Sequence, residues 1–244
     1  MTNKPVNYER KGSVAVITLD DGKSNALSPV MLTALSEALD RAEQEQAVVL
    51  LQGREGIFSA GFDLKVLKRG GTDAIAMLRG GFDLALRLMS FPTPVVVACT
   101  GHAMAMGAFV LLSSDYRIGV AGDFKVATNE VAIGMTMPKA AVAICQQRLN
   151  PAHFTRAVLL AETFTPESAV AAGFLDQVVA PEDVHTAAFE AAEALAKLDM
   201  TAHHQSKLRS RGQTLRAMRK ASLSDTGDFL WAGAKRYAGK LVSR

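Results

Sequence analysis

Residues 94–109 read Pro94-Val95-Val96-Val97-Ala98-Cys99-Thr100-Gly101-His102-Ala103-Met104-Ala105-Met106-Gly107-Ala108-Phe109. Val95–Cys99 is a short, continuous apolar run bounded by a proline and by Thr100-Gly101. A run of that length, rich in β-branched residues, reads as a strand buried on both faces, and such strands belong to parallel sheets covered by helices. The glycine-flanked loop that follows leads into an apolar helix from Ala108 to Ser114. The first amides of a helix have no intrahelical acceptor and carry a partial positive charge, so this loop can present N–H groups to an oxygen.

Working outward, the same alternation recurs. Val14–Leu19 is a compact strand ended by Asp20-Asp21-Gly22. Ser28-Pro29 then opens a helix, with Ser28 as N-cap, Pro29 at the first helical position and Leu32, Leu35, Leu39 and Ala42 as an apolar stripe. Val48–Leu51 is a second buried strand, followed by a loop from Gly53 to Gly61 and a helix over 72–90 that Pro92 and Pro94 close. Short strands are expected over 116–120 and 124–127, and helices over 138–149, 151–161, 166–172, 181–197 and 201–222. Strand–helix–strand alternation without proline-rich linkers predicts an α/β core with parallel strands. The helical C-terminal third is expected to pack on that core or on a neighbouring subunit.

Composition narrows the function classes. The chain has 244 residues, nearly half of them apolar, and 27 basic against 24 acidic side chains. A formal charge of +3 is too small to point to nucleic acid. Lys207, Arg209, Arg211, Arg216, Arg219, Lys220, Lys235, Arg236, Lys240 and Arg244 do crowd the C-terminal end. They read either as a solvated helix face or as a contact for the phosphates of a nucleotide-bearing ligand. Cys99 and Cys145 lie in apolar stretches and form neither a disulfide framework nor a metal motif. Residues 1–11 lack the apolar stretch of a secretory signal, and no apolar run approaches the roughly 20 residues needed to span a bilayer. A cytoplasmic protein with no membrane partner is expected.

Several site types fail on spacing. No Gly-Lys-Ser/Thr follows Gly101–Gly107, so the loop is not a nucleotide P-loop, and no G-x-G-x-x-G follows a strand. His203 and His204 are adjacent, which on a helix points them about 100° apart, and no metal is expected. Ser59 lies outside any G-x-S-x-G elbow. Two loops remain. In Ile57–Leu64 the small residues Ser59, Ala60 and Gly61 let the backbone approach a ligand. Together with Thr100–Phe109 this loop can direct two amides at an oxygen that becomes negative during reaction, each worth about 3 kcal/mol in the transition state.

Phe58-Ser59-Ala60-Gly61-Phe62-Asp63-Leu64 resembles a signature of the enoyl-CoA hydratase/isomerase (crotonase) superfamily. Pro94–Ala103 is similar to the strand and loop that follow it there, and Asn25-Ala26-Leu27 to an upstream loop. Asp115–Ile118, Glu130–Gly134, Met137-Pro138 and Phe164–Val179 resemble its later segments, so that the likeness spans about residues 5–200 in order. The resemblance implies a crotonase-like core of repeated ββα units over 1–195, with a C-terminal helical segment over 196–244 that contacts other subunits of a trimer or dimer of trimers. It implies an acyl-CoA substrate and no cofactor beyond the coenzyme A that the substrate carries. Ala60 and Met106 would supply the oxyanion amides. Ala60, Gly61, Phe62, Asp63 and Gly107 would lie along the thioester and pantetheine, with Ala26 and Leu27 near the other end.

The resemblance also locates the acid–base chemistry. Hydratases use two glutamates, and one of those positions matches Glu130, beside the apolar run Val131-Ala132-Ile133. A carboxylate in an apolar pocket has a raised pKa suited to proton transfer near neutrality. The other position falls on Phe109, which can neither bind nor activate water. One carboxylate can still take a proton from one carbon and return it to another, as in the family's Δ3-Δ2-enoyl-CoA isomerases. Double-bond isomerisation through Glu130 is therefore the leading expectation. Hydration with Glu130 as sole base is the alternative, and a non-catalytic acyl-CoA binder the third. Met104, Met106, Phe62 and Phe109 are expected around an apolar pocket.

Overall fold

The computed structural model describes residues 4–242; the side chains of 222–224 and 226–242 lie outside the description. Val6–Lys11 (β1) and Val14–Leu19 (β2) form an antiparallel hairpin that feeds helix α1, Pro29–Gln44. Ser28 caps α1 as expected, its hydroxyl accepting the Met31 N–H at 3.2 Å. Val48–Gln52 (β3) and Gly56–Ser59 (β4) lead into α2, Leu64–Arg69, and α3, Gly71–Ser90. Val95–Cys99 (β5) and Gly101–Met104 (β6) lead into α4, Met106–Ser113. Tyr116–Val120 (β7) and Val126–Ala127 (β8) lead through a 3-10 turn at Val131–Ile133 into α5, Lys139–Arg148. Then come α6 (Pro151–Val158), α7 (Pro166–Ala172), β9 (Gln177–Val179), α8 (Val184–Leu195) and α9 (Met200–Val242).

The strands divide in a regular way. The first of each pair joins one sheet in the order β1-β2-β3-β5-β7-β9, parallel except at the β1–β2 hairpin. The second strands, β4, β6 and β8, form a smaller parallel sheet of their own. This is the repeated ββα core. One detail differs from the sequence expectation: Gly101–Met104 is a strand and not loop, because its backbone pairs with β4 on one side and β8 on the other. The expected strand over 124–127 shortens to Val126–Ala127, and the helix expected over 201–222 runs from Met200 to Val242.

Period-two alternation splits the core across the large sheet. Val49, Leu51, Val95, Val97 and Cys99 face α1, α3 and α4, whereas Val48, Leu50, Val96 and Ala98 face Val184, Ala188 and Ala192 of α8. Each fully buried valine contributes about 1.5–3 kcal/mol relative to exposure. Helix α4 is buried all round, as the apolar run from Met106 to Leu112 requires. Helix α9 turns one face to the main core, through Lys207, Arg211, Leu215, Met218, Ala221 and Asp225 at spacings of three and four.

The cationic start of that face overturns one expectation. Lys207 and Arg211 are buried and cannot reach the phosphates of a ligand. The Lys207 ammonium donates to the Phe91 and Thr93 carbonyls and to Asp115 at 2.7–3.0 Å. Arg211 donates to the Met89 and Ser114 carbonyls and pairs with Asp115 at 2.9 Å. Arg209, Arg216, Arg219 and Lys220 are exposed, as a solvated face would be. Arg244 and the side chains of Lys235, Arg236 and Lys240 lie outside the described residues.

Candidate active site

The two loops singled out in the sequence meet. The chain turns through Gly61 with φ +86°, and a Cβ there would sit 2.8 Å from the Ala105 Cβ and 3.1 Å from the Met106 nitrogen. At Gly107 a Cβ would sit 2.6 Å from the Ser59 carbonyl oxygen. Only glycine allows this interlocking. Ala105, which caps α4, is held at φ +50°, ψ −121°, a conformation that strains a residue with a side chain. Such strain, about 1–3 kcal/mol, persists where the surroundings impose it and gathers at functional sites. It aims the first amides of α4, beginning with that of Met106, out of the helix.

Hydrogen-bond accounting shows which amides are free. The Ala60 N–H donates to the Ser24 carbonyl at 3.0 Å, so this expected oxyanion donor is already engaged. The Gly61 N–H donates to the Ser59 hydroxyl at 3.2 Å. The Phe62 and Met106 N–H groups have no acceptor among the described residues. Asn25, Ala26 and Leu27 form the support behind this loop. The buried Asn25 carboxamide donates to the Leu19 and Phe58 carbonyls at 3.0 and 3.2 Å, and the Leu27 N–H donates to the Gly61 carbonyl at 2.8 Å. Asp63 accepts the Lys65 N–H at 2.7 Å and caps α2.

A cavity of about 620 Å³, its open mouth included, adjoins this loop and the residue that caps α4. Ala60, Phe62, Ala105 and Phe109 line it, with Leu64, Leu67, Leu78 and Phe82 from α2 and α3. Asn129, Glu130, Ile133, Met135 and Pro138 complete the lining. Phe62, Phe82 and Phe109 form an aromatic row with ring centroids 6.4 and 6.1 Å apart. Of the side chains expected around the pocket, Phe62 and Phe109 are in its wall. Ala26, Leu27, Gly61, Asp63, Met104, Met106 and Gly107 stand behind it or beside it. His102 is turned away: its Nδ1 accepts the Lys125 N–H at 3.0 Å and its ring packs on Phe124.

Glu130 is the one carboxylate in the cavity wall. It is 6% exposed, and its Oε2 is buried without a hydrogen-bond partner among the described residues. Burial pushes its carboxyl from the usual range up to about 7. Burial, and then the Glu130 charge, push the Cys145 thiol of α5 up, so Cys145 stays a neutral, inert neighbour. Asn129 was not picked out from the sequence; its buried Oδ1 also lacks a partner among the described residues. Its adjacency to Glu130 was the only signal available.

Residues 9–237 match the family model described as enoyl-CoA hydratase/isomerase. The chain belongs to that family. It is 32% identical over 184 residues, 73% of its own length and 70% of the relative's, to a probable enoyl-CoA hydratase echA17 of Mycobacterium avium. Among solved structures it is similar to a probable enoyl-CoA hydratase EchA3 of Mycobacterium tuberculosis (48% identity, TM-score 0.92, covering 96% of this chain and 99% of that one). It is also similar to human mitochondrial delta3-delta2-enoyl-CoA isomerase (26% identity, TM-score 0.88, covering 98% of each chain). The protein is an enzyme of the enoyl-CoA hydratase/isomerase type. No helix among its described residues is long and apolar enough to cross a membrane.

Proposed function

We propose that this member of the enoyl-CoA hydratase/isomerase family shifts a double bond in an enoyl-CoA, with Glu130 as its only acid–base group. The observation that carries the reading is a single buried carboxylate, Glu130, in a cavity whose wall also holds Phe62, Phe82 and Phe109 and no second carboxylate. The thioester carbonyl of a 3-enoyl-CoA accepts hydrogen bonds from the Phe62 and Met106 N–H groups, neither of which has an acceptor among the described residues. Ala60 serves as wall and not as donor, since its N–H is spent on Ser24. Glu130 removes a proton from Cα, electrons move into the conjugated thioester enolate, and Glu130 returns the proton at Cγ. The double bond moves from C3–C4 to C2–C3 with no net gain or loss of atoms. A carboxyl titrating at about 7 suits both halves of that transfer. The two amides stabilise the enolate oxygen by about 3 kcal/mol each. The coenzyme A is carried by the substrate, and the reaction needs no further cofactor. A trimeric assembly, or a dimer of trimers, in the cytoplasm belongs to the same reading, and gel filtration returning a monomer would remove the first part of it.

One observation favours hydration as a second reading: the unpartnered Asn129 Oδ1 can hold a water beside Glu130. The test is mass spectrometry of 3-enoyl-CoA and 2-enoyl-CoA incubated with the protein in deuterated water, beside Glu130→Gln. Deuterium uptake with 3-to-2 conversion, lost in the variant, is the expected result. A product heavier by one water from 2-enoyl-CoA would replace isomerisation with hydration. Unchanged substrates with retained binding would leave an acyl-CoA binder.

A further inference from the structure

The wall that carries Glu130 is fastened from an unexpected direction. Helix α5 begins directly after Pro138, and proline offers no side-chain acceptor for the helix start. The first intrahelical bond is Val142 N–H to the Pro138 carbonyl, which leaves the Lys139, Ala140 and Ala141 amides to be satisfied otherwise. Asp225 of α9 supplies two of those acceptors, taking the Lys139 N–H at 3.2 Å and the Ala140 N–H at 3.0 Å. Asp225 is 5% exposed and is the last of the described residues on the face that α9 turns to the core. Only the short segment 131–138 separates this cap from Glu130, and Ile133, Met135 and Pro138 of that segment line the cavity. The segment folds back on Glu130, whose carbonyl accepts the Met135 N–H at 2.8 Å.

We propose that Asp225 is a positioning residue for the reaction: by capping α5 from the C-terminal helix, it fixes the cavity wall that holds Glu130 over the substrate. The cap is a charge at a helix N-terminus, where a carboxylate is favourable, and it lies outside the cavity, so Asp225 touches no substrate. It makes α9 part of the catalytic architecture and not only of the core. The proposal rests on reading Glu130 as the reacting carboxylate, and its test separates the two.

Asp225→Ala and Asp225→Asn are compared with wild type by steady-state conversion of 3-enoyl-CoA, thermal unfolding and amide hydrogen exchange. The expected result for Asp225→Ala is a fall of about tenfold in kcat with KM within about twofold, since small misplacements of a reacting group cost rate more than binding. Exchange speeds up at Lys139, Ala140 and, through the segment, at Met135. Asp225→Asn keeps one carbonyl acceptor and recovers part of the kcat. Faster exchange at Lys139 and Ala140 with kcat unchanged would overturn the proposal, leaving a cap that only holds a helix. So would a loss of kcat no larger than the fraction of protein unfolded at the assay temperature. Where wild type itself shows no conversion, the isomerase reading fails, and the Met135 amide decides alone: faster exchange in Asp225→Ala sustains the coupling, and unchanged exchange refutes it.

Discussion

The Ala60 N–H donates to the carbonyl of Ser24 at 3.0 Å, across a gap of 36 positions in the chain. That bond withdraws one amide from the cavity and, with the bonds of Asn25, locks the loop that presents the next free one, at Phe62. Asn25 is fully buried at φ +50°, a left-handed conformation that asparagine tolerates better than most residues.

Asn25→Ala would therefore act at both levels. It leaves the Leu19 and Phe58 carbonyls without their donor and places alanine at a strained φ. Loss of roughly 2–4 kcal/mol of stability is expected from the unsatisfied groups and strain together. Chemical denaturation measures it, and a loss under about 1 kcal/mol would mean that the 57–61 loop holds its shape without this support.

Under the proposed function, Phe109 decides the reaction. Phe109→Glu puts a second carboxyl into the cavity that Glu130 lines, giving water a second polar partner there. Hydration of 2-enoyl-CoA is expected to appear or rise at least tenfold in this variant, while 3-to-2 conversion falls. Incubation in oxygen-18 water reads the first and absorbance of the conjugated thioester the second. A wild type that already hydrates as fast as the variant would show that Phe109 does not exclude water.

Lys207 gives a prediction opposite to the one its charge invites. Lys207→Met removes a donor from the Phe91 and Thr93 carbonyls and from Asp115, in a buried network. Breaking such a network costs about 3 kcal/mol, read as a lower unfolding midpoint, and CoA affinity of the folded fraction stays unchanged. The exposed cations beside the cavity are elsewhere: Lys65, Lys68 and Arg69 on α2, the helix whose Leu64 and Leu67 line the cavity. Lys65→Ala with Lys68→Ala is expected to raise the dissociation constant for CoA several-fold at low salt, with the effect shrinking as salt is added. Titration calorimetry at two ionic strengths separates this double variant from Lys207→Met, and equal losses of affinity in both would reject this assignment.

What could be read from the sequence was what short-range chemistry dictates. Ser28-Pro29 announces the start of α1, and Val95–Cys99 announces a strand buried on both faces, because each depends on neighbours within a few positions. Gly101–Met104 did not look like a strand: glycine, histidine, alanine and methionine have no shared β preference, and pairing with β4 and β8 imposes the conformation. The burial of Lys207 depends on Asp115, 92 positions away, and the engagement of Ala60 depends on Ser24. Glu130 was legible through the likeness of its surroundings to a known family and through its apolar neighbours. That its Oε2 would have no partner was not, since burial is a property of the closed cavity and not of the segment.

The raised pKa of Glu130 ties stability to activity in opposite directions. Its carboxyl titrates at about 7 in the folded chain against 4.5 for an unburied glutamate, with burial as the first cause. Between those values the unfolded chain has released the proton and the folded chain still holds it, so raising the pH through this window favours unfolding. The protonated form stabilises the fold fully below about pH 4.5, and that contribution is lost by the time pH passes 7, amounting to about 3 kcal/mol at most. Glutamine cannot ionise, so Glu130→Gln is expected to match wild type in unfolding midpoint at pH 4 and to exceed it at pH 8. The rate moves the other way: a base must be ionised to take the α-proton, so kcat/KM for 3-enoyl-CoA should rise through a midpoint near pH 7. Thermal unfolding of both proteins at the two pH values, beside a pH–rate profile, checks the pair of trends. A variant no more stable than wild type at pH 8 would mean that Glu130 finds a partner for its charge, and with it the case for a carboxylate held ready in a dry cavity would fall.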